Sequence, residues 1–161
     1  MKGVTFSNNL DGSKLKIGVV VSRWNQEITA ALLVKCKKGL QAAKVKEKNI
    51  FVLEVPGSFE LPFGASVLIE KKKVKAVICL GALIKGETPH DEYLARATSY
   101  GIMKVQLETG VPVIFGVLTC LNEKQALARS VGSESYASAW GLSAVEMALH
   151  PFHPMRINKH F

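Results

Sequence analysis

The chain has 161 residues, of which 48% are hydrophobic and 21% are charged, a balance that is ordinary for soluble globular proteins. This length suits one domain over 1–161, and no apolar run is long enough to span a bilayer, so neither a second domain nor a membrane partner is expected. The net charge of +8 favours anionic partners, but nucleic acid, acidic surfaces and phosphorylated metabolites all fit that description.

The N-terminal segment carries no recognisable targeting signal. It has neither the apolar core nor the small-residue cleavage site of a secretory signal, so a cytoplasmic location is expected. Residues 1–15 are predicted to form an extended arm ahead of the first strand.

Four short apolar runs rich in Val and Ile are predicted as buried strands of a parallel sheet. They are Lys16–Val21, Ile50–Val55, Ala76–Leu80 and Pro112–Leu118. Segments of helical length separate them, at Glu27–Gln41, Phe59–Lys71 and Pro89–Glu108. Strands that alternate with helices imply right-handed crossovers and an α/β fold with three layers, α/β/α.

Two further helices are predicted after the fourth run. Asn122 lies three residues before Gln125, which is typical of a capped helix start, and this helix continues to Ser130. The second helix covers about Gly141–His150. Val131–Trp140 is rich in Ser and Gly and is predicted as a connection, whereas 151–161 has two prolines and no periodicity and is predicted to be irregular.

The lysines and cysteines indicate no special partner. Lysines concentrate in Lys35–Lys48 and Lys71–Lys75, at the ends of predicted helices and without interleaved aromatic residues, which favours solvated cations over a nucleic-acid stripe. Cys36, Cys79 and Cys120 are odd in number and far apart, which argues against a disulfide framework and a structural zinc site. We expect reduced, packed thiols and no metal.

Ligands of open parallel sheets bind beyond the carboxyl ends of the strands, and the most informative segment there is GALIKGETPH, residues 81–90. Thr88 is predicted as the N-cap of a helix whose first residue is Pro89. Free backbone N–H groups at Gly86, Glu87 and Thr88 would then suit a phosphate. An ordinary capped helix has the same pattern, so this feature alone leaves both interpretations open.

His90 follows in the first helical turn. A helix N-terminus disfavours the imidazolium and could hold a neutral base, while Asp91 and Glu92 act in the opposite direction, so the net effect is open. A surface histidine without a catalytic role is the alternative.

Three other polar or aromatic residues also have two interpretations. Trp24 follows the first strand and either stacks on a heteroaromatic substrate or packs against a helix. Glu60 either accepts hydrogen bonds from sugar hydroxyls or favours its helix's first turn as an acidic residue. Arg129 either binds phosphate or is a solvated surface arginine.

In their order and spacing, four motifs together resemble the lumazine synthase family. They are SRWNQEIT, VPGSFELP, ICLGALIKGETPHDEYL and VPVIFGVLTCLNEKQALAR, within a resemblance that extends from about Lys16 to Met147. It implies a flavodoxin-like four-stranded sheet and an active site between adjacent subunits. The implied reaction joins 5-amino-6-(D-ribitylamino)uracil to 3,4-dihydroxy-2-butanone 4-phosphate, with no metal or redox cofactor.

The resemblance also implies three groups of site residues. For the pyrimidine and its ribityl chain they are Trp24, Asn25, Ser58, Phe59, Glu60, Leu83, Ile84 and, from a neighbouring subunit, Phe115. For the phosphate they are Gly86, Glu87, Thr88 and Arg129. His90 would transfer protons.

The chain departs from the family pattern at two places. Asp91 stands where an aromatic residue usually follows the histidine, which adds a negative charge beside the base. The connection 132–140 is longer than the bacterial form and lacks its basic residue, and longer connections accompany free pentamers rather than icosahedral capsids. A homopentamer is therefore expected.

Two other classes of function remain as alternatives. A flavodoxin-like module could bind a flavin or lumazine without catalysing its formation, because the fold alone permits this. A nucleic-acid-binding scaffold is suggested only by the net charge, and no nucleic-acid partner is expected.

Overall fold

A computed structural model describes residues 5–7 and 9–150 of the chain. Its four strands form one parallel sheet with the order β2-β1-β3-β4. The strands are β1 (Ile17–Ser22), β2 (Ile50–Val55), β3 (Ala76–Ile84) and β4 (Val113–Cys120). The predicted three-layer α/β/α architecture with a four-stranded parallel sheet is confirmed.

Helices cover both faces of this sheet. They are α1 (Gln26–Ala42), α2 (Leu61–Lys72), α3 (His90–Thr109), α4 (Glu123–Ser130) and α5 (Ala137–Leu149). Short 3₁₀ turns precede β2 at Glu47–Asn49 and α2 at Ser58–Glu60. The segment 151–161 that was predicted to be irregular lies outside the described residues, as do parts of the predicted N-terminal arm.

Two apolar clusters pack on opposite faces of the sheet. Side chains of α1, α4 and α5 bury Ile17 and Val19 of β1 on one face, while α2 and α3 bury Val20 on the other. The central strands β1 and β3 are buried almost throughout, as expected for a parallel sheet covered on both sides. Helices α1 and α5 approach each other closely at Gly141. A Cβ at this position would lie 2.6 Å from the Cys36 carbonyl oxygen, so no larger residue fits without a shift.

Two strands end later than predicted, and β4 ends at Cys120 rather than Leu118. β3 continues four residues beyond Leu80 to Ile84, where its last residues pair with Val117–Cys120 of β4. Gly81 therefore lies inside a strand rather than in a loop, and a Cβ there would meet the Ser58 Oγ at 2.5 Å. Close packing on the site loop explains this glycine.

One helix start was also placed too late. α5 begins at Ala137 rather than Gly141. Ala137 is fully buried in the apolar cluster that α1, α4 and α5 form on one face of the sheet, called the α1-side cluster below, and Trp140 packs against this cluster. The connection after α4 is correspondingly shorter than the predicted Val131–Trp140.

The three cysteines are free and buried, which confirms the prediction of packed thiols. Burial raises the pKa of Cys36 to about 12 and raises the pKa of Cys79 as well. Within the described ranges, none of the helices combines the length and apolar character that crossing a bilayer requires.

Candidate active site

A cavity of about 530 Å³ opens beyond the carboxyl ends of β1, β2 and β3. This volume lies in the range of small-molecule sites, and the position is where parallel α/β sheets bind ligands. Ten of the thirteen residues that the resemblance implied line it. These are Trp24, Asn25, Ser58, Phe59, Glu60, Leu83, Ile84, Gly86, Thr88 and His90.

The β1–α1 loop places Trp24 at this cavity. Arg23 N–H donates to the Val55 carbonyl at 2.9 Å, and Trp24 N–H donates to the Pro56 carbonyl at 3.1 Å, so the pairing of β1 with β2 continues into the loop. Asn25 has a left-handed backbone (φ 58°), and its side-chain amide donates to the Ala82 carbonyl at 2.9 Å. Trp24 is 73% exposed, so its side chain is not part of the core.

The turn at Ser58–Glu60 forms a second wall. Ser58 is buried, and its carbonyl accepts a 3.1 Å hydrogen bond from the buried Thr98 hydroxyl of α3. Glu60 Oε2 accepts the Gly57 N–H at 2.8 Å, while Oε1 makes no hydrogen bond to the described residues. The Glu60 carboxylate is thus oriented by the backbone and keeps one oxygen for a ligand.

The third wall is the loop that leads into α3, where the predicted N-cap was wrong. Pro89 occupies the cap position, α3 begins at His90, and no side chain caps this helix, so Thr88 does not have the predicted role. Proline has a fixed φ and tolerates a position where the amide hydrogen is not needed. Gly86 and Thr88 still line the cavity, while Glu87 does not.

Five cavity residues were absent from the predicted site set: Pro56, Gly57, Ala82, Asp91 and Leu94. Leu94 could have been found, because it lies four residues after His90 on the same face of α3. Asp91 is half-buried, and its Oδ1 is shielded from solvent without a hydrogen-bond partner among the described residues. A shielded carboxylate oxygen without a donor is energetically unfavourable.

Phe115 and Arg129 do not line the cavity of their own chain. Phe115 lies in the edge strand β4, 41% exposed. Arg129 lies in α4, where Nη1 donates to the Gln125 carbonyl at 3.1 Å. Burial raises the pKa of Cys120, and the Arg129 charge opposes that rise. Phe115 is thus in the edge strand, and Arg129 is in the helix that follows this strand in the chain.

The cavity combines an exposed indole, an oriented carboxylate, an imidazole and a loop at a helix start. Such groups can stack on a heteroaromatic ring, accept hydrogen bonds from hydroxyls, move a proton and bind an anion. In the described part of the chain, no group of three or more His, Cys, Asp or Glu side chains is arranged to hold a metal ion.

Comparison with known proteins gives two kinds of match. The model of the family described as 6,7-dimethyl-8-ribityllumazine synthase matches residues 14–151. A Pyricularia oryzae protein named 6,7-dimethyl-8-ribityllumazine synthase is 42% identical over an alignment of 178 positions. This alignment covers 86% of this chain and 89% of that protein. A Schizosaccharomyces pombe protein with the same name is 43% identical over 145 residues, which cover 88% and 91% of the two chains.

Proposed function

The chain belongs to the 6,7-dimethyl-8-ribityllumazine synthase family, and we propose that the cavity beyond β1, β2 and β3 is its active site. The enzyme is a transferase that condenses 5-amino-6-(D-ribitylamino)uracil with 3,4-dihydroxy-2-butanone 4-phosphate. The product is 6,7-dimethyl-8-ribityllumazine, and phosphate and water are released. This is the penultimate step of riboflavin biosynthesis. The convergence of ten family-implied residues on one cavity is the observation that carries the assignment of the site.

The reaction needs two substrates held in a fixed orientation. An amine of the uracil attacks the ketone to form an imine, phosphate leaves by elimination, and a second condensation closes the ring. These steps exchange protons and expel water and phosphate, and they involve no net redox change. Orienting the partners can supply about 7–11 kcal/mol of the rate acceleration.

The uracil would stack on Trp24, whose exposed ring borders the cavity. Main-chain groups near Ser58, Leu83 and Ile84 would bind the edges of the pyrimidine. Phe59 would border the substrate, and Asn25 would lie near Glu60 at the ribityl chain. The free Oε1 of Glu60 would accept hydrogen bonds from the ribityl hydroxyls, because Oε2 is already engaged by Gly57 N–H. This arrangement assigns a distinct part of the substrate to each wall.

The phosphate would bind at the loop 86–88, just before α3. This helix has 20 residues, and its N-terminal end carries a partial positive charge and unpaired N–H groups. A Cβ built at Gly86 would meet no atom within 4 Å, so there is open space beside the loop. Glu87 does not line the cavity, and only its main-chain N–H would contribute. His90, at the start of α3, would then transfer protons next to the leaving phosphate.

A neighbouring subunit would complete the site. Phe115 in β4 and Arg129 in α4 are absent from their own chain's cavity, and a head-to-tail contact would bring both to the next subunit's cavity. α3 supports such a contact, because it exposes an apolar row along one helical face. This row consists of Tyr93, Tyr100, Met103 and Leu107.

Membership of the family implies a homo-oligomer, and we infer a homopentamer rather than an icosahedral capsid. The support for the pentamer comes from the sequence, in which 132–140 is longer than the bacterial form of the family and lacks its basic residue. We also infer a single functional domain over 1–161 and a cytoplasmic location, with small-molecule substrates rather than nucleic acid or membrane as partners.

One assay separates this function from that of a non-catalytic flavin- or lumazine-binding module. The purified protein is mixed with both substrates, and lumazine absorbance and inorganic phosphate are followed together. We expect equal amounts of the two products. His90→Ala should lower kcat by about 10²- to 10⁴-fold, the usual contribution of a general acid or base. Tight binding of lumazine by the wild-type protein without any turnover would refute the enzymatic assignment.

A further inference from the structure

Arg129 has a carboxylate partner outside the cavity. Its Nη1 lies 3.7 Å from Oε2 of Glu134, a residue in the connection between α4 and α5. The two side chains are 42% and 61% exposed, so the pair lies at the surface of the chain. The guanidinium assigned to the substrate phosphate therefore already interacts with an anion.

The segment that carries Glu134 starts from a fixed point. Lys35 of α1 donates hydrogen bonds from Nζ to the carbonyl oxygens of Val131, at 3.0 Å, and Gly132, at 2.7 Å. Gly132 N–H donates to the Leu127 carbonyl at 3.0 Å, which closes the end of α4. Glu134 follows two residues after this anchor, so its approach to Arg129 is set by the local backbone.

Glu134 does not orient the guanidinium. The 3.7 Å separation is too long for a hydrogen bond, whereas Nη1 donates to the Gln125 carbonyl within the same helix at 3.1 Å. Removal of the Glu134 charge should therefore leave Arg129 in place and remove only the competing anion.

We propose that Glu134 sets the affinity for the phosphorylated substrate by competing for Arg129, an inference that rests on the proposed phosphate role of Arg129. A phosphate monoester carries up to two negative charges and can form charge-assisted hydrogen bonds with the guanidinium, so it displaces the single, longer carboxylate contact. Each binding event then includes the loss of the Arg129–Glu134 pair. Glu134 thus weakens binding of the ketose phosphate and of inorganic phosphate, and leaves binding of the uracil unchanged.

The test compares Glu134→Gln with Glu123→Gln in the full-length oligomer. Glu123 is exposed on the first turn of α4, about 9 Å from Arg129 along the helix axis, so its substitution removes the same charge at a greater distance from the guanidinium. The measurements are KM for each substrate and the inhibition constant of inorganic phosphate. We expect Glu134→Gln to lower the ketose-phosphate KM and the phosphate inhibition constant by about two- to fivefold, the scale of an exposed ion pair. Glu123→Gln should change neither.

Arg129→Met tests the phosphate role of Arg129 separately from the competition by Glu134. It should raise the ketose-phosphate KM at least about tenfold, as expected when a charged hydrogen-bonding partner is lost. In an Arg129→Met background, Glu134→Gln should have no further effect.

Three other results would contradict the inference about Glu134 or the role of Arg129. If Arg129→Met weakens phosphate binding but Glu134→Gln behaves like Glu123→Gln, the inference about Glu134 is wrong and the role of Arg129 stands. An increase in KM on Glu134→Gln would show that Glu134 supports Arg129, which also contradicts the inference. If Arg129→Met has no effect, the proposed phosphate role of Arg129 fails, and the competition fails with it.

Discussion

Trp24→Ala removes the indole ring that borders the cavity and leaves its loop in place. The loop is held by main-chain hydrogen bonds of Arg23 and Trp24 and by the Asn25 side chain, none of which involves the indole. Since Trp24 is 73% exposed, loss of its ring should change the free energy of unfolding by no more than about 0.5 kcal/mol. The consequence for binding should be much larger.

Stacking of a base on an aromatic side chain contributes about 1–3 kcal/mol in alanine substitutions. At 1.36 kcal/mol for a tenfold change, this corresponds to an increase of about 5- to 150-fold in the Kd of the ribitylaminouracil. Trp24→Phe keeps an aromatic face and should lose only part of this affinity. Titration calorimetry with the uracil substrate measures the Kd of each variant, and thermal unfolding measures its stability.

Trp140 provides the matched control, because the chain has two tryptophans in opposite settings. Trp140 packs against the α1-side cluster, and its Cε3 would lie 2.9 Å from a Cβ at Gly116. Trp140→Phe should therefore cost at least about 1 kcal/mol of stability and leave uracil affinity unchanged. Wild-type uracil affinity in a folded Trp24→Ala variant would refute the stacking argument.

Three further predictions concern the α3 contacts and the assembly. Thr98→Val removes the buried hydroxyl that donates to the Ser58 carbonyl, and should lower the free energy of unfolding by about 1–3 kcal/mol and raise the KM for the uracil. Denaturant titration measures the first effect and steady-state kinetics the second, and an unchanged KM would show that this contact does not position the turn at Ser58–Glu60. Asp91→Phe should keep activity and lower the KM for the ketose phosphate, because it removes a negative charge beside His90 and a shielded carboxylate oxygen without a donor. A sharp rise in that KM in steady-state kinetics would contradict the electrostatic reasoning. Sedimentation velocity should give a pentamer, and a megadalton shell would overturn that inference.

The buried strands were the easiest part of the fold to predict. β1 and β2 agree with the prediction to within one residue, because both are short apolar runs, interrupted only by Glu54 in β2, and have polar or turn-forming ends. β3 and β4 were predicted too short, since Gly81 in one and Thr119 in the other interrupt the apolar pattern. Cross-strand pairing extends both strands past these residues, and no local pattern encodes that pairing.

The cavity could be predicted to the extent that its residues follow strand ends. Trp24, Glu60 and His90 were found because the carboxyl edge of a parallel sheet identifies the segments that contain them. The cap at Thr88 was wrong because the local Thr-Pro pattern does not determine where the first helical turn begins. The ion pair of Arg129 with Glu134 depends on the tertiary path after α4, which the sequence pattern did not provide.

The most direct test of a site shared between subunits is complementation between two defective chains. His90→Ala damages the cavity of its own chain, and Arg129→Met damages the contribution to the neighbour, so each oligomer alone should be strongly impaired. When the two chains are refolded together at equal amounts, about a quarter of head-to-tail interfaces should combine an intact cavity with an intact arginine. We predict recovery of about that fraction of wild-type lumazine synthesis. Activity no higher than the mean of the two separate variants would contradict the shared site.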